Sequence, residues 1–229
     1  MFMKNRKGMK KIAISLTCIT LALQTQAMDE RIVENKKYNL VGVGLFSGSD
    51  LVSNTVKCLT NSSKSHVGVI LSDLENENQW YCFESTGSKS EVLNGIYPHV
   101  RLTDWDIVVE KYKGHVSYRL FVFNNMERTD SNLVTQFVEE YNGKSYTKNP
   151  LTLLGALGNL NNPSKSDVLK TAFCSELSAR MLMEFGILQE GTESNCLPAD
   201  FTSKKMDFKK KSRVTLNFGI ELTPEYIEK

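Results

Sequence analysis

The sequence predicts an α+β domain in which an antiparallel sheet packs against a helix that carries a nucleophile. Three observations lead there. The strand-like runs His66–Leu71 and Trp80–Ser85 are joined by the polar, acidic stretch Ser72–Gln79, the pattern of a hairpin with a longish loop. Thr171–Leu188 places Leu177, Met181, Leu182, Phe185 and Leu188 at helical spacing, keeps Glu176, Arg180 and Glu184 on the other side, and carries a stop signal at Gly186. Cys174 falls in the first turn of that helix, where unpaired backbone N–H groups and the positive end of the helix dipole favour an anion and so bias a thiol toward thiolate.

The elements follow in order. Lys4, Arg6, Lys7, Lys10 and Lys11 precede an apolar run from Ile12 to Leu23, and Thr25-Gln26-Ala27 then offers small residues where a signal peptidase reads. Residues 1–27 are therefore expected to be a cleaved secretory signal, and 28–229 a single exported domain, periplasmic or secreted. The apolar run is shorter than the roughly 20 residues that a membrane-spanning helix needs. In the mature chain Tyr38–Phe46 reads as a strand turning at Ser47-Gly48, and Asp50 or Ser49 caps a helix with Leu51, Val52, Val56 and Leu59 as its apolar stripe. Gly42, Gly44 and Gly48 only loosely mimic a dinucleotide fingerprint, because the last gap is one residue too long. Glu91–Val109 has mixed extended character and Val116–Phe123 is a strand. Asp130 caps a helix through Leu133, Val134, Phe137, Val138 and Tyr141 that stops at Gly143. Asn149-Pro150 opens a short helix through Leu157, Cys196–Phe201 forms a turn packed on the core, and Arg213–Leu222 alternates like a closing strand.

Composition narrows the function classes. A net charge of +2 over 229 residues demands no polyanionic partner, so no nucleic acid is expected. Cys58, Cys82, Cys174 and Cys196 are spaced too widely and irregularly, and without paired histidines, for a finger-type zinc site; no metal or cofactor is expected. One bridge among the other three cysteines or none are both open. Lys204–Arg213 is a basic segment that reads as a solvated surface or as a weak contact to an anionic membrane or wall. His99 and His115, in polar settings, read as surface residues.

Acyl transfer by a thiol needs a partly ionised nucleophile, a base, and a group that orients the base. Cys174, His66 and Glu84 supply one of each. With the hairpin loop centred near Glu75, His66 lies opposite Glu84; a shift of one residue leaves the pair diagonal but on one face, within hydrogen-bonding reach. The backbone N–H of Cys174 is a natural oxyanion donor. Leu151, Leu153, Leu154 and Leu157 offer either core packing or an apolar groove for an acyl chain.

These residues also carry a resemblance. SHVGVI around His66 and FCSEL around Cys174 are its specific parts, supported by YCFEST, YNGKSYTKNPLTLL and the LPADF turn. On them the chain resembles the permuted papain-like amidases, a YaeF/YiiX-like family related to the NlpC group of cell-wall peptidases, over most of its mature length. The resemblance implies a circularly permuted papain-like fold, in which histidine and carboxylate precede the cysteine, with Cys174, His66 and Glu84 as catalytic residues. Val43 departs from the pattern, since such proteins often carry Asp there. The implied activity is a metal-independent cysteine hydrolase acting on a peptide or cell-wall amide through a thioester. An acyl-lipid hydrolase or acyltransferase, or a non-catalytic protein holding lipid or peptide, are the alternatives.

Overall fold

The structure is a computed structural model that describes residues 36–86, 99–124, 129–144, 174–189, 196–202, 215–217 and 219–229. The expected signal, the segment of Leu151, Leu153, Leu154 and Leu157, and Lys204–Arg213 lie outside the described residues. Contacts divide the chain into Met1–Lys36 and Lys37–Lys229, and every element below belongs to the second unit.

The architecture is α+β, with an antiparallel sheet and helices. Strands β1 (Tyr38–Gly48), β2 (His66–Asp73), β3 (Trp80–Thr86), β4 (His99–Asp104), β5 (Gly114–Phe123) and β6 (Ile220–Leu222) lie in the order β4-β3-β2-β1-β5-β6, and β7 (Tyr226–Ile227) also pairs with β5. Among the described residues all the pairings are antiparallel. Four helices among the described residues accompany the sheet: α1 (Leu51–Thr60), α2 (Trp105–Lys111), α3 (Ser131–Tyr141) and α4 (Cys174–Glu184).

Side-chain alternation divides the core between the two faces of the sheet. On one face, Phe83 meets the ring of Phe137 from α3 edge-on, and Phe137 in turn meets Phe185 just after α4. Leu177, Met181 and Leu182 of α4 are buried, as the apolar stripe requires. On the other face Phe46, Ile70, Cys82 and Val116 pack with Trp105 and Val108 of α2. Close approach of the β5 backbone explains Gly42 of β1, where a methyl would run into the carbonyl oxygen of Arg119, whereas at Gly44 the ring of Trp105 takes the space.

Several elements differ from expectation. β1 runs on through Ser47-Gly48 instead of turning there, and Asp50 then caps α1 by accepting from Ser53 N–H at 2.9 Å. Leu51 and Leu133 belong to the expected stripes of α1 and α3 but are 83% and 51% exposed. Helix α2 falls where extended chain was expected. Its β-branched run Ile107-Val108-Val109 favours a strand locally, but the Asp104 carboxylate accepts from the N–H groups of Asp106 and Ile107 and starts a helix instead. Among the described residues of the expected closing strand, Leu216 bridges Leu188, Gly219 takes a left-handed conformation at φ +85°, Ile220 N–H closes a turn on Asn217, and Ile220–Leu222 pairs as β6. Cys196–Phe201 packs on the core as expected, with Pro198–Phe201 as a 3-10 turn.

Candidate active site

The hairpin β2–β3 sets the first two members of the site. Val69 pairs with Phe83, Ile70 with Cys82 and Leu71 with Tyr81. Continued outward, this register opposes Gly68 to Glu84 and leaves His66 on the diagonal. The loop is therefore centred one residue beyond Glu75, because Asp73 N–H donates to Gln79 O and the Asp73 carboxylate turns the chain by accepting from Glu75 N–H. Reach survives the shift: His66 Nε2 stands 2.6 Å from Glu84 Oε2. Gly68 makes room for this contact, since a methyl there would stand 2.6 Å from Cys82 Sγ and 3.2 Å from Glu84 Cβ.

Glu84 is 3% exposed, so its charge needs partners. Arg101, directly opposite on β4, supplies them: Nε and Nη2 donate to Glu84 Oε1 at 2.9 and 2.5 Å. Burial opposes ionisation of Glu84 most strongly, but Arg101 and the hydrogen bond and charge of His66 prevail and hold its pKa down at about 2. Arg101 is a positioning residue that sequence reasoning missed. The alternation of Val100 and Leu102 with Arg101 and Thr103 was its available signal.

The third member enters from α4. Cys174 begins the helix, is half-buried, and is hydrogen-bonded to His66; with Nε2 held by Glu84, the ring nitrogen left for the thiol is Nδ1. Burial raises the thiol pKa, but the His66 charge and hydrogen bond, together with the backbone N–H groups of Val67 and Ser175, lower it below the ordinary value. Burial likewise works against a charged His66, yet the Cys174 thiolate and then Glu84 raise its pKa to about 10. Thiolate and imidazolium are thus the favoured pair. The Val67 N–H is a second feature that sequence reasoning did not supply.

Two supports fix the helix start. Ser178 Oγ donates to the Cys174 carbonyl at 2.9 Å, and Ser175 Oγ donates to the Cys196 carbonyl at 2.6 Å, which ties the 3-10 turn to the thiol. Tyr112 flanks the imidazole through Phe46, whose ring centroid lies 5.2 Å from that of His66 and 5.0 Å from that of Tyr112. Burial pushes the Tyr112 phenol up to about 12 against the opposing hydrogen bond with Ser65, with smaller help from the charges of Glu84, Asp50 and Cys174, so it stays neutral. His115 is exposed, and the side chain of His99 lies outside the described residues. None of Cys58, Cys82, Cys174 and Cys196 is joined in a disulfide. Among the described residues no group of three His, Cys, Asp or Glu side chains is placed to hold a metal ion.

Proton linkage gives this pair a pH signature. Between pH 6.5 and 9.0 the raised His66 loses stability as pH rises while the lowered Cys174 gains it, so the two slopes oppose each other. Above pH 9.0 the unfolded thiol ionises while the folded imidazolium persists to about 10, so stability falls with pH at about 1 kcal/mol per unit. The depressed Glu84 adds stability that is present above pH 4.5 and lost as pH falls toward about 2. Denaturant titrations across pH are expected to show these changes, and in His66→Gln the decline tied to the imidazolium should vanish.

The fold and site together define an α+β protein with a thiol, an imidazole and a carboxylate in line at the end of its sheet. No family profile matches the chain, and no curated protein matches it. Among solved structures, metalloprotein YiiX from Escherichia coli O157:H7 is similar to it at 14% identity and a TM-score of 0.42, over 81% of this chain and 96% of that one.

Proposed function

We propose that the protein is a cysteine hydrolase that cleaves an amide through a thioester at Cys174. The observation that carries this reading is the line of contacts from a half-buried sulfur to His66, and from His66 to a buried Glu84. In this reading the Cys174 sulfur attacks the carbonyl carbon of the amide, and the carbonyl oxygen takes up the negative charge, with the Cys174 N–H as donor. His66 gives the proton on Nδ1 to the departing nitrogen, the C–N bond breaks, and a thioester remains. Water then gives a proton to His66 as it attacks the thioester, and the acid and the thiolate separate. Glu84 holds the ring through Nε2 throughout and offsets its charge.

The order of His66 and Glu84 before Cys174 supports a permuted papain-like arrangement of the fold. The basic and then apolar residues 1–27 support export, which makes the peptide amides of the cell wall the leading substrates. The test incubates wild type and Cys174→Ala with muropeptides and with lysophospholipids and reads the products by mass spectrometry. Expected is cleavage of a muropeptide amide by the wild type and none by Cys174→Ala. Release of fatty acid alone replaces this reading with an acyl-lipid hydrolase. Product from neither pool replaces it with a binding protein.

A further inference from the structure

Arg119 is the largest fully buried side chain among the described residues, and the thiol chemistry does not touch it. It stands in β5, directly opposite Val43 of β1, and reaches the 3-10 turn Pro198–Phe201. Burial opposes its charge, and the carboxylate of Glu225, itself paired with Lys64 at 2.5 Å, supports it. Two of its donors go to backbone carbonyls: Nε to that of Thr223 at 2.8 Å, and Nη1 to that of Phe201 at 3.2 Å. A guanidinium taken out of water is costly, and an apolar side chain of similar volume would fill the space without that cost. What the arginine adds is direction, because its planar fork fixes where two carbonyls sit.

The Phe201 carbonyl belongs to a unit that is bonded to itself. The Asp200 carboxylate accepts from Leu197 N–H at 2.8 Å, and Asp200 N–H donates to the Leu197 carbonyl at 2.9 Å. Thr202 donates to the Ala199 carbonyl twice, from its N–H at 3.1 Å and from its hydroxyl at 2.7 Å. A hold on Phe201 therefore also sets Cys196, which enters the turn through Leu197. The Cys196 carbonyl accepts from Ser175 Oγ at 2.6 Å, and the Ser175 N–H is one of the backbone donors to the Cys174 sulfur. Ser178 Oγ holds the carbonyl of the same Cys174–Ser175 peptide at 2.9 Å. A line of hydrogen bonds thus joins β5 to the nucleophile without passing through His66 or Glu84.

We propose that Arg119 is a positioning residue for Cys174: by fixing the 3-10 turn it holds the Ser175 hydroxyl, and with it the Ser175 N–H, in line with the sulfur. The inference rests on the nucleophile of the proposed function and adds the residue that aims it.

The test is a double-mutant cycle between Arg119 and Ser175 in the full chain. It is read as the pH midpoint of Cys174 alkylation by iodoacetamide, with peptide mapping, and separately as Tm. Arg119→Lys keeps the charge but not the fork, and Ser175→Ala removes the hydroxyl. Each is expected to raise the midpoint by about 0.5 pH unit, since a hydrogen bond to a charged group is loosened and not abolished. The double variant should move it no further than the larger single shift. Val134→Ala, which truncates the buried face of α3, should lower Tm and leave the midpoint where it is. Arg119→Met should move the midpoint further than Arg119→Lys; if circular dichroism shows that it does not fold, Arg119→Lys decides. A reactive wild type whose midpoint is unmoved by Arg119→Lys, or additive shifts in the double variant, would overturn the role of Arg119 and leave the nucleophile standing. A wild type no more reactive at pH 6 than His66→Ala would remove the nucleophile, and this role with it.

Discussion

At pH 6, iodoacetamide should modify Cys174 roughly ten- to a hundred-fold faster in the wild type than in His66→Ala. Free cysteine is only about 0.3% thiolate at that pH, whereas the His66 charge and the N–H groups of Val67 and Ser175 hold Cys174 toward its ionised form. Removing the imidazole leaves a thiol whose ionisation burial opposes. A thiolate of low pKa is intrinsically a weaker nucleophile, which is why the expected ratio falls short of the full gain in ionised fraction. From pH 6 to pH 8 the wild-type rate should also rise less steeply than that of His66→Ala. Peptide mapping separates Cys174 from the exposed Cys58. Equal rates at pH 6 would remove the thiolate–imidazolium pair, and with it the case for a nucleophile.

Arg101→Met is expected to cost about 3–5 kcal/mol of stability, because it strands the buried Glu84 carboxylate without its guanidinium. For a chain of this size that corresponds to a fall in Tm on the order of 10 °C. Glu84 would then be drawn toward its protonated form, so Cys174 alkylation at pH 6 should slow as well. The double variant Arg101→Met with Glu84→Gln should recover much of the lost stability, since no buried charge is left unpaired, but not the alkylation rate. A loss below about 1 kcal/mol in Arg101→Met would show that the pair is not what holds the carboxylate in place.

The residues differ in how far each could be read in advance. His66 and Glu84 come from one hairpin, whose side-chain period of two keeps them on one face under a small error of register. Cys174 was legible because a helix start is marked by pattern alone. That the thiol meets the imidazole depends on packing between segments more than 100 residues apart, which no local pattern encodes. Arg101 went unread for a related reason. Within HVRLTD it is one polar residue on an alternating strand, and only the pairing of β4 with β3 turns it into the partner of Glu84. Helix α2 was misread because β-branched residues outweighed an aspartate cap in a purely local reading.

His66, Glu84 and Arg101 stand on three adjacent strands, so the aim of the imidazole is set by a ladder of backbone hydrogen bonds and not by any connecting loop. Loops around such a centre can be lengthened, shortened or exchanged without re-aiming it. Anyone recruiting this scaffold for a new acyl group would have the connections to redesign, and would leave the three strands as they are.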